Sequence, residues 1–279
     1  MKAGRFIYLV FSVFFFLSCT EKKNDLTDMN LKGDVKSVQE FEYEVAVDEF
    51  GKVKKGKLLQ SSKKIFNKKG RLEEVDVFDM DGDTVQKMLS VYDDKGMLSK
   101  RLVYDDLGRL SFISVFAHDE KGRQTEAMQV DGDDQFLQKE VTEYNDDNMI
   151  ETSILYNKNN EQIKKEVRQM DKEGLPKEVK IYNEKRELVN FRKEKYNENE
   201  QLVAFDVYAS DEQTIVLSAV LTYDKGGNLI KQEAIDETGD SFLPENYKYE
   251  FDPKLNWIVA VRYVGVDAKT FLERVIEYY

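Results

Sequence analysis

The sequence predicts an all-β protein: a long antiparallel β-meander of about 17 strands, assembled from 26-residue double-hairpin repeats and curled into a single-layer sheet or shell. Three observations predict it. Tyr92, His118, Tyr144, Met170 and Tyr196 occupy one slot in five successive copies, and a second, similar slot divides each interval into 12 and 14 residues. From Phe66 to Tyr263 the slot is Tyr or Phe at 12 of 16 positions, and Asp or Asn follows it at 14, with Ala209 and Val264 as the exceptions. Between these signatures lie about 7 to 9 residues, enough for one strand of about 25 Å and too few for a helical hairpin.

Each preference has a mechanical cause. An Asp or Asn side chain accepts a hydrogen bond from the backbone two residues on and starts a tight turn. Gly, four residues after the slot in eight copies, supplies the positive φ that closes the turn, and Asn148 and Asn160 tolerate that conformation in other copies. Leu72, Leu98, Leu110, Leu188, Leu202 and Leu229 then open the return strands.

Along the chain, residues 31–65 form an N-terminal cap containing a strand at residues 35–47, residues 66–250 form the repeats, and residues 251–279 form a C-terminal cap. That last cap holds Trp257, the single tryptophan, and a closing strand at residues 272–279. In residues 202–208, Val203, Phe205 and Val207 make an apolar face while Ala204 and Asp206 share the other, which is half-buried alternation. In residues 188–196 charged side chains occupy much of both faces, so the core is thin. So many strands in one layer must twist and curl.

The first 18 residues stand apart. Lys2 and Arg5 precede an apolar run from Phe6 to Leu17, too short to cross a bilayer as a helix and suited to a secretory signal. Phe16, Leu17, Ser18 and Cys19 resemble the lipobox of bacterial lipoproteins, and Cys19 is the single cysteine. That resemblance implies acylation of Cys19, a mature chain starting there, membrane contact through its acyl chains, and, with Thr20 following, the outer membrane with the protein facing the periplasm or the outside. Residues 19–30 read as a polar tether. Losing Lys2 and Arg5 leaves 40 basic against 54 acidic residues, a formal net charge of −14 instead of −12, which disfavours nucleic acid. No cysteine pair exists for an internal disulfide.

The Tyr-Asp-x-x-Gly-x-Leu patterns at residues 92–98 and 104–110 resemble the YD repeats of RHS-type bacterial surface proteins. Residues 31–38, with Leu31, Lys32, Gly33, Val35, Lys36, Ser37 and Val38, are similar to the opening segment of Gram-negative envelope lipoproteins with related repeats. Asn256, Trp257, Arg262, Arg274, Ile276, Tyr278 and Tyr279 match their ending. The resemblance implies fold and location and transfers no catalytic residue.

Candidate sites are few. His118, the single histidine, fills an aromatic slot and reads as a packed ring, and its solitude excludes a multi-histidine metal centre. Asp79, Asp81 and Asp83, around Gly82, have the spacing of oxygen ligands in a calcium loop, and Asp131, Asp133 and Asp134 make a similar cluster. Position 12 counted from Asp79 is Ser90 instead of the Glu an EF-hand requires. Paired carboxylates such as Glu73 with Glu74 and Asp105 with Asp106 are too abundant to single out a hydrolytic pair. Trp257 with Arg262 and Tyr263 makes a candidate ligand patch beside its role in sealing the cap. The functional expectation is a lipid-anchored envelope protein presenting a binding or scaffolding surface to a protein or glycan. An envelope polysaccharide hydrolase and an immunity-like protector are the alternatives.

Overall fold

The computed structural model describes residues 24–279; Cys19 and the signal segment lie outside them. One helical turn, α1 (Asp25–Asp28), precedes the long first hairpin of β1 (Val35–Val47) and β2 (Val53–Phe66). The repeats follow as β3 (Leu72–Phe78), β4 (Thr84–Tyr92), β5 (Leu98–Tyr104), β6 (Leu110–His118), β7 (Gln124–Asp131), β8 (Phe136–Asn145), β9 (Ile150–Tyr156) and β10 (Gln162–Met170). They continue through β11 (Pro176–Asn183), β12 (Leu188–Tyr196), β13 (Leu202–Tyr208), β14 (Ile215–Tyr223) and β15 (Leu229–Asp236). The chain ends on β16 (Glu245–Phe251), β17 (Trp257–Val264) and β18 (Asp267–Tyr278).

Every strand pairs antiparallel with its sequence neighbours, and β1 pairs with β18 as well as with β2, so the sheet is a closed barrel. This corrects the expected curled meander of about 17 strands. The sixteen slots end β2 through β17 to within a residue, β1 precedes them, and the closing segment is an eighteenth strand that zips onto the first. Closure has a physical cause. A curled sheet would leave one row of unpaired N–H and C=O groups on each edge, and joining Val38 to Ile276, Glu40 to Arg274 and Glu42 to Leu272 removes both.

The turns follow the expected chemistry. Asp105 Oδ1 accepts from the amides of Leu107 at 3.0 Å and Arg109 at 2.9 Å, and Gly108 closes that turn at φ +71°. The same left-handed position is held without glycine by Asn160, Arg186, Glu200 and Leu255, so the Asx geometry imposes the conformation where the residue does not favour it. Asn148 departs from expectation, because the positive φ in that turn falls on Met149.

One rim, here called the terminal rim, carries residues 24–34, the chain end and the turns after the even strands β2 to β16; the distal rim carries the turns after the odd strands. Strands running to the distal rim are shorter, seven residues in β3, β5, β9 and β13, than those returning, nine in β4, β6, β10, β12 and β14. That alternation is the origin of the 12 and 14 spacing.

Ladder register sorts the side chains into two faces. Most of the buried strand residues, Val38, Val103, Ser114, Thr142, Ser153, Glu166, Val179, Glu194, Ala219 and Ala260, share one face, the inner one, while Ser37, Ser61, Phe191 and Val261 are buried on the other beneath their neighbours. Val91, Leu137, Val189, Val220 and Val275 are large, exposed and on the outer face. The segment expected to be a loose tether is instead fastened at residues 24–34 across the terminal rim. Asp25 Oδ2 accepts from the Leu72 amide at 2.5 Å and the Tyr92 hydroxyl at 3.1 Å, and Asn30 Nδ2 donates to the Gly226 carbonyl at 3.1 Å. Leu26 and Leu31 pack with Val35, Val38, Phe66 and Leu72 into the barrel's main hydrophobic cluster, and each such side chain buried contributes about 1.5–3 kcal/mol. Asn256, 2% exposed, receives the Lys32 amide at 2.7 Å and donates to the Lys32 carbonyl at 2.9 Å and to Tyr278 at 2.8 Å.

Candidate functional site

The inner wall gathers side chains that are far apart in sequence and that no local motif marks. Across β8 to β10, register aligns Thr142, Ser153 and Glu166, and Thr142 and Ser153 share a hydrogen bond of 2.9 Å. Arg168, two residues from Glu166 on the same strand face, donates through Nε to Glu166 at 2.8 Å and through Nη1 to Glu151 at 2.7 Å, while Lys164 reaches Glu166 at 2.7 Å. Two strands on, Arg192 pairs with Glu194, which also accepts the Tyr196 hydroxyl at 2.5 Å.

Burial and charge act in opposite directions across this belt. Desolvation pushes the Glu140 and Glu151 carboxyls up, and for Glu151 the Arg168 guanidinium opposes that without reversing it. At Glu166 desolvation also pushes upward, but the Arg168 charge and the Lys164 hydrogen bond outweigh it and leave the pKa lowered. The sector therefore holds one firmly ionised carboxylate beside two that ionise less readily.

A second charged group lies at the seam. Arg274 on β18 donates to Glu40 on β1 at 2.8 Å, and its guanidinium lies 3.4 Å from the centre of the Trp257 ring. Burial lowers the pKa of Arg274 and of Lys64 on the same face. Trp257 also packs 6.1 Å from Tyr249, centre to centre.

The structure does not bring Trp257, Arg262 and Tyr263 together as one patch. Arg262 and Tyr263 are consecutive in β17 and point to opposite faces: Arg262 pairs with Glu245 at 3.2 Å, while the Lys248 ammonium sits 4.9 Å over the Tyr263 ring. Asp79 Oδ1 accepts from the Asp81 amide at 2.9 Å and the Asp83 amide at 3.0 Å, which is ordinary turn geometry. Among the described residues no three His, Cys, Asp or Glu side chains are grouped to hold a metal ion. His118 is half-buried in its slot, and desolvation lowers its pKa against the pull of Asp93 and Asp119. Glu74 lies on the outer face, its pKa lowered by the Lys87 hydrogen bond, and Asp105 is bound to Arg109 in an exposed turn. The inner belt was missed because its pairs sit two residues apart inside charge-rich strands; the signal available was like alternation in β10 and β12, Glu166 with Arg168 and Arg192 with Glu194.

The outer face is also charged. Lys87, Lys100, Lys139, Lys165, Lys193 and Lys248 stand on it between the rims, whereas a membrane-spanning barrel needs an uninterrupted apolar band about 25 Å tall and strands of about 9–11 residues.

No protein-family model matches the sequence, and no curated protein matches it. Among solved structures, a porin-like protein from Bacteroides uniformis is similar at TM-score 0.47 and 10% identity, covering 88% of this chain and 99% of that one. A porin-like protein from Bacteroides vulgatus gives TM-score 0.29 and 12% identity over 88% and 99%. The Tc holotoxin pore of Photorhabdus luminescens gives 0.30 and 10% over 78% of this chain and 12% of that one. Likeness at this level carries no argument about function or location.

Proposed function

We propose that this protein is a lipid-anchored envelope protein, held to the outer membrane through Cys19, whose barrel stands in water and uses its inner wall to bind a glycan or a protein segment. The observation that supports it most is the charged and hydrogen-bonding inner wall, built from Glu151, Glu166, Arg168, Arg192 and Glu194, inside a shell whose outside is equally unsuited to lipid. The hairpins at residues 92–98 and 104–110 support kinship with YD-repeat surface proteins. Residue 24 sits at the terminal rim, so a membrane anchor at Cys19 puts that rim nearer the bilayer and leaves the distal rim outward.

Fractionation of cells carrying the wild type or Cys19→Ser, with labelled fatty acid, tests the anchor: the variant leaves the membrane fraction and loses the label. Binding is tested with the mature chain on a glycan array and by pull-down from detergent-solubilised envelopes. A blank array together with an empty pull-down removes the reading. A second reading, hydrolysis of envelope polysaccharide, is favoured by the raised pKa values of the buried carboxyls Glu140 and Glu151, the condition a general acid needs. Release of reducing ends that disappears in Glu140→Gln or Glu151→Gln would establish it.

A further inference from the structure

The inner wall carries five arginines, at positions 101, 168, 192, 262 and 274, and four of them hold a carboxylate: Glu166 with Glu151, Glu194, Glu245 and Glu40. Arg101 on β5 has no carboxylate partner among the described residues. Its Nε is buried without a hydrogen bond, and its guanidinium rests 5.7 Å over the Phe116 ring. Arg101 as a whole is half-buried, and the Arg192 Nε is likewise buried without a hydrogen bond; what sets Arg101 apart is the missing carboxylate together with a second unsatisfied group beside it, the Ser90 hydroxyl on the paired strand.

Register places these two in a longer row. Ser90, Arg101, Ser114, Gln129 and Gln138 are mutual ladder partners across β4, β5, β6, β7 and β8, at one height on the inner face. Four strand spacings of about 4.8 Å make the row about 19 Å long. Its hydrogen bonds run one way: Gln138 Nε2 donates to Gln129 Oε1 at 2.8 Å, and Gln129 Nε2 donates to Ser114 Oγ at 3.3 Å. The chain of donors thus leads towards Arg101, where nothing on the wall accepts. Phe112 and Phe116 flank Ser114 on the same face of β6, one on either side of the row.

We propose that this row binds an acidic saccharide, a uronate-containing oligosaccharide, with Arg101 taking the carboxylate. The inference rests on the reading of the inner wall as the binding surface and adds the ligand's chemistry. The guanidinium offers paired N–H donors that match a carboxylate. Uncharged hydroxyl and amide side chains at strand spacing suit sugar hydroxyls, and the two phenyl rings suit the C–H faces of pyranose rings. An extended peptide would be held chiefly by its backbone along a free sheet edge, and the closed barrel offers none.

The test is calorimetric titration of the mature chain with oligogalacturonate and with the matching neutral galactose oligomer, read in parallel through the methyl resonance of Met88, which lies two residues from Ser90 on the inner face. The acidic oligomer is expected to bind and shift Met88, Arg101→Gln to weaken it at least tenfold, Arg101→Lys to restore part of the affinity, and Gln129→Ala to weaken it by a smaller factor, with circular dichroism showing the strand signal retained in each variant. Equal binding of both oligomers, or binding indifferent to Arg101→Gln, overturns the proposal and leaves the inner-wall reading standing. No binding of either oligomer overturns the proposal; the array and pull-down then decide the wider reading.

Discussion

The two rims of this barrel are built from the same hairpin, yet they use its aromatic slot in opposite ways. At the terminal rim Tyr92, Tyr144 and Tyr223 face inward and donate to the carbonyls of Leu72, Gln124 and Leu202 at 2.8–2.9 Å, across the neighbouring strand. At the distal rim Tyr156 and Tyr208 face outward, beneath the ammonium groups of Lys139 at 5.9 Å and Lys193 at 5.1 Å. Successive hairpins of a meander are related by a two-fold axis lying in the sheet, and that operation exchanges the faces. A fixed local conformation therefore presents the slot to the interior and the exterior in turn, which makes the true repeat 26 residues instead of 13.

Substitutions at equivalent positions sharpen or break this contrast. The largest effect is expected at Asn256. Asn256→Ala removes three hydrogen bonds from a buried site that ties residues 24–34 to the rim and is expected to cost about 3 kcal/mol, whereas Asn157→Ala in an exposed distal turn is expected to cost about 1 kcal/mol. Urea titration of the two variants measures the difference, and equal midpoints would remove the structural role given to the rim segment.

Next comes glycine. Gly70 and Gly108 share a positive φ, but a methyl group at Gly70 would fall 2.3 Å from Asn24 Nδ2 while one at Gly108 meets nothing within 4 Å. Gly108→Ala should lose about 1 kcal/mol of stability to backbone strain and Gly70→Ala about 2 kcal/mol or more, with hydrogen exchange accelerated across residues 24–34 in the second alone. Smaller again, Tyr144→Phe should cost about 1 kcal/mol and Tyr156→Phe less than about 0.5 kcal/mol, compared by thermal melting.

The last effect is absent at neutral pH. Burial raises the pKa of Tyr92, Tyr144, Tyr196, Tyr223 and Tyr249, the last to about 12. In the unfolded chain these phenols ionise near pH 10. The folded state thus holds more protons above that pH, so stability is flat below it and falls as pH rises from about 10 through about 12. Phenolate absorbance followed alongside circular dichroism should show the late-ionising tyrosines titrating together with loss of strand signal. Ionisation of all tyrosines near pH 10 with the fold intact would contradict their burial.

Most of the wall was legible in the sequence because its cause is local. The Asp or Asn after 14 of the 16 slots, with Gly four on in eight, marks most reversals, and β12, β13 and the start of β6 fall where the Leu openings and aromatic slots place them. Closure was not legible, since the pairing of Val38 with Ile276 joins segments at opposite ends of the chain and depends on the curvature summed over all the strands between. The fastening of residues 24–34 was hidden similarly: Asn24, Asp25 and Asn30 look like a polar linker until Lys69, Leu72 and Gly226 are brought beside them. The inner-wall groups were invisible for a third reason. Arg101 resembles every other exposed repeat cation in sequence, and only the register shows that its neighbours are Ser90 and Ser114 where Arg168 has Glu151.

Closure of the ring tests the account most directly, because the inner and outer faces exist only if β1 meets β18. Gln39 and Val275 are ladder partners across that seam on the outer face. In a Cys19→Ser background, Gln39→Cys with Val275→Cys should cross-link within one chain under a short thiol-reactive linker, while Gln39→Cys with Val220→Cys should not. Equal reactivity of the two pairs, or linkage of the first only between separate chains, would show a sheet whose ends never join.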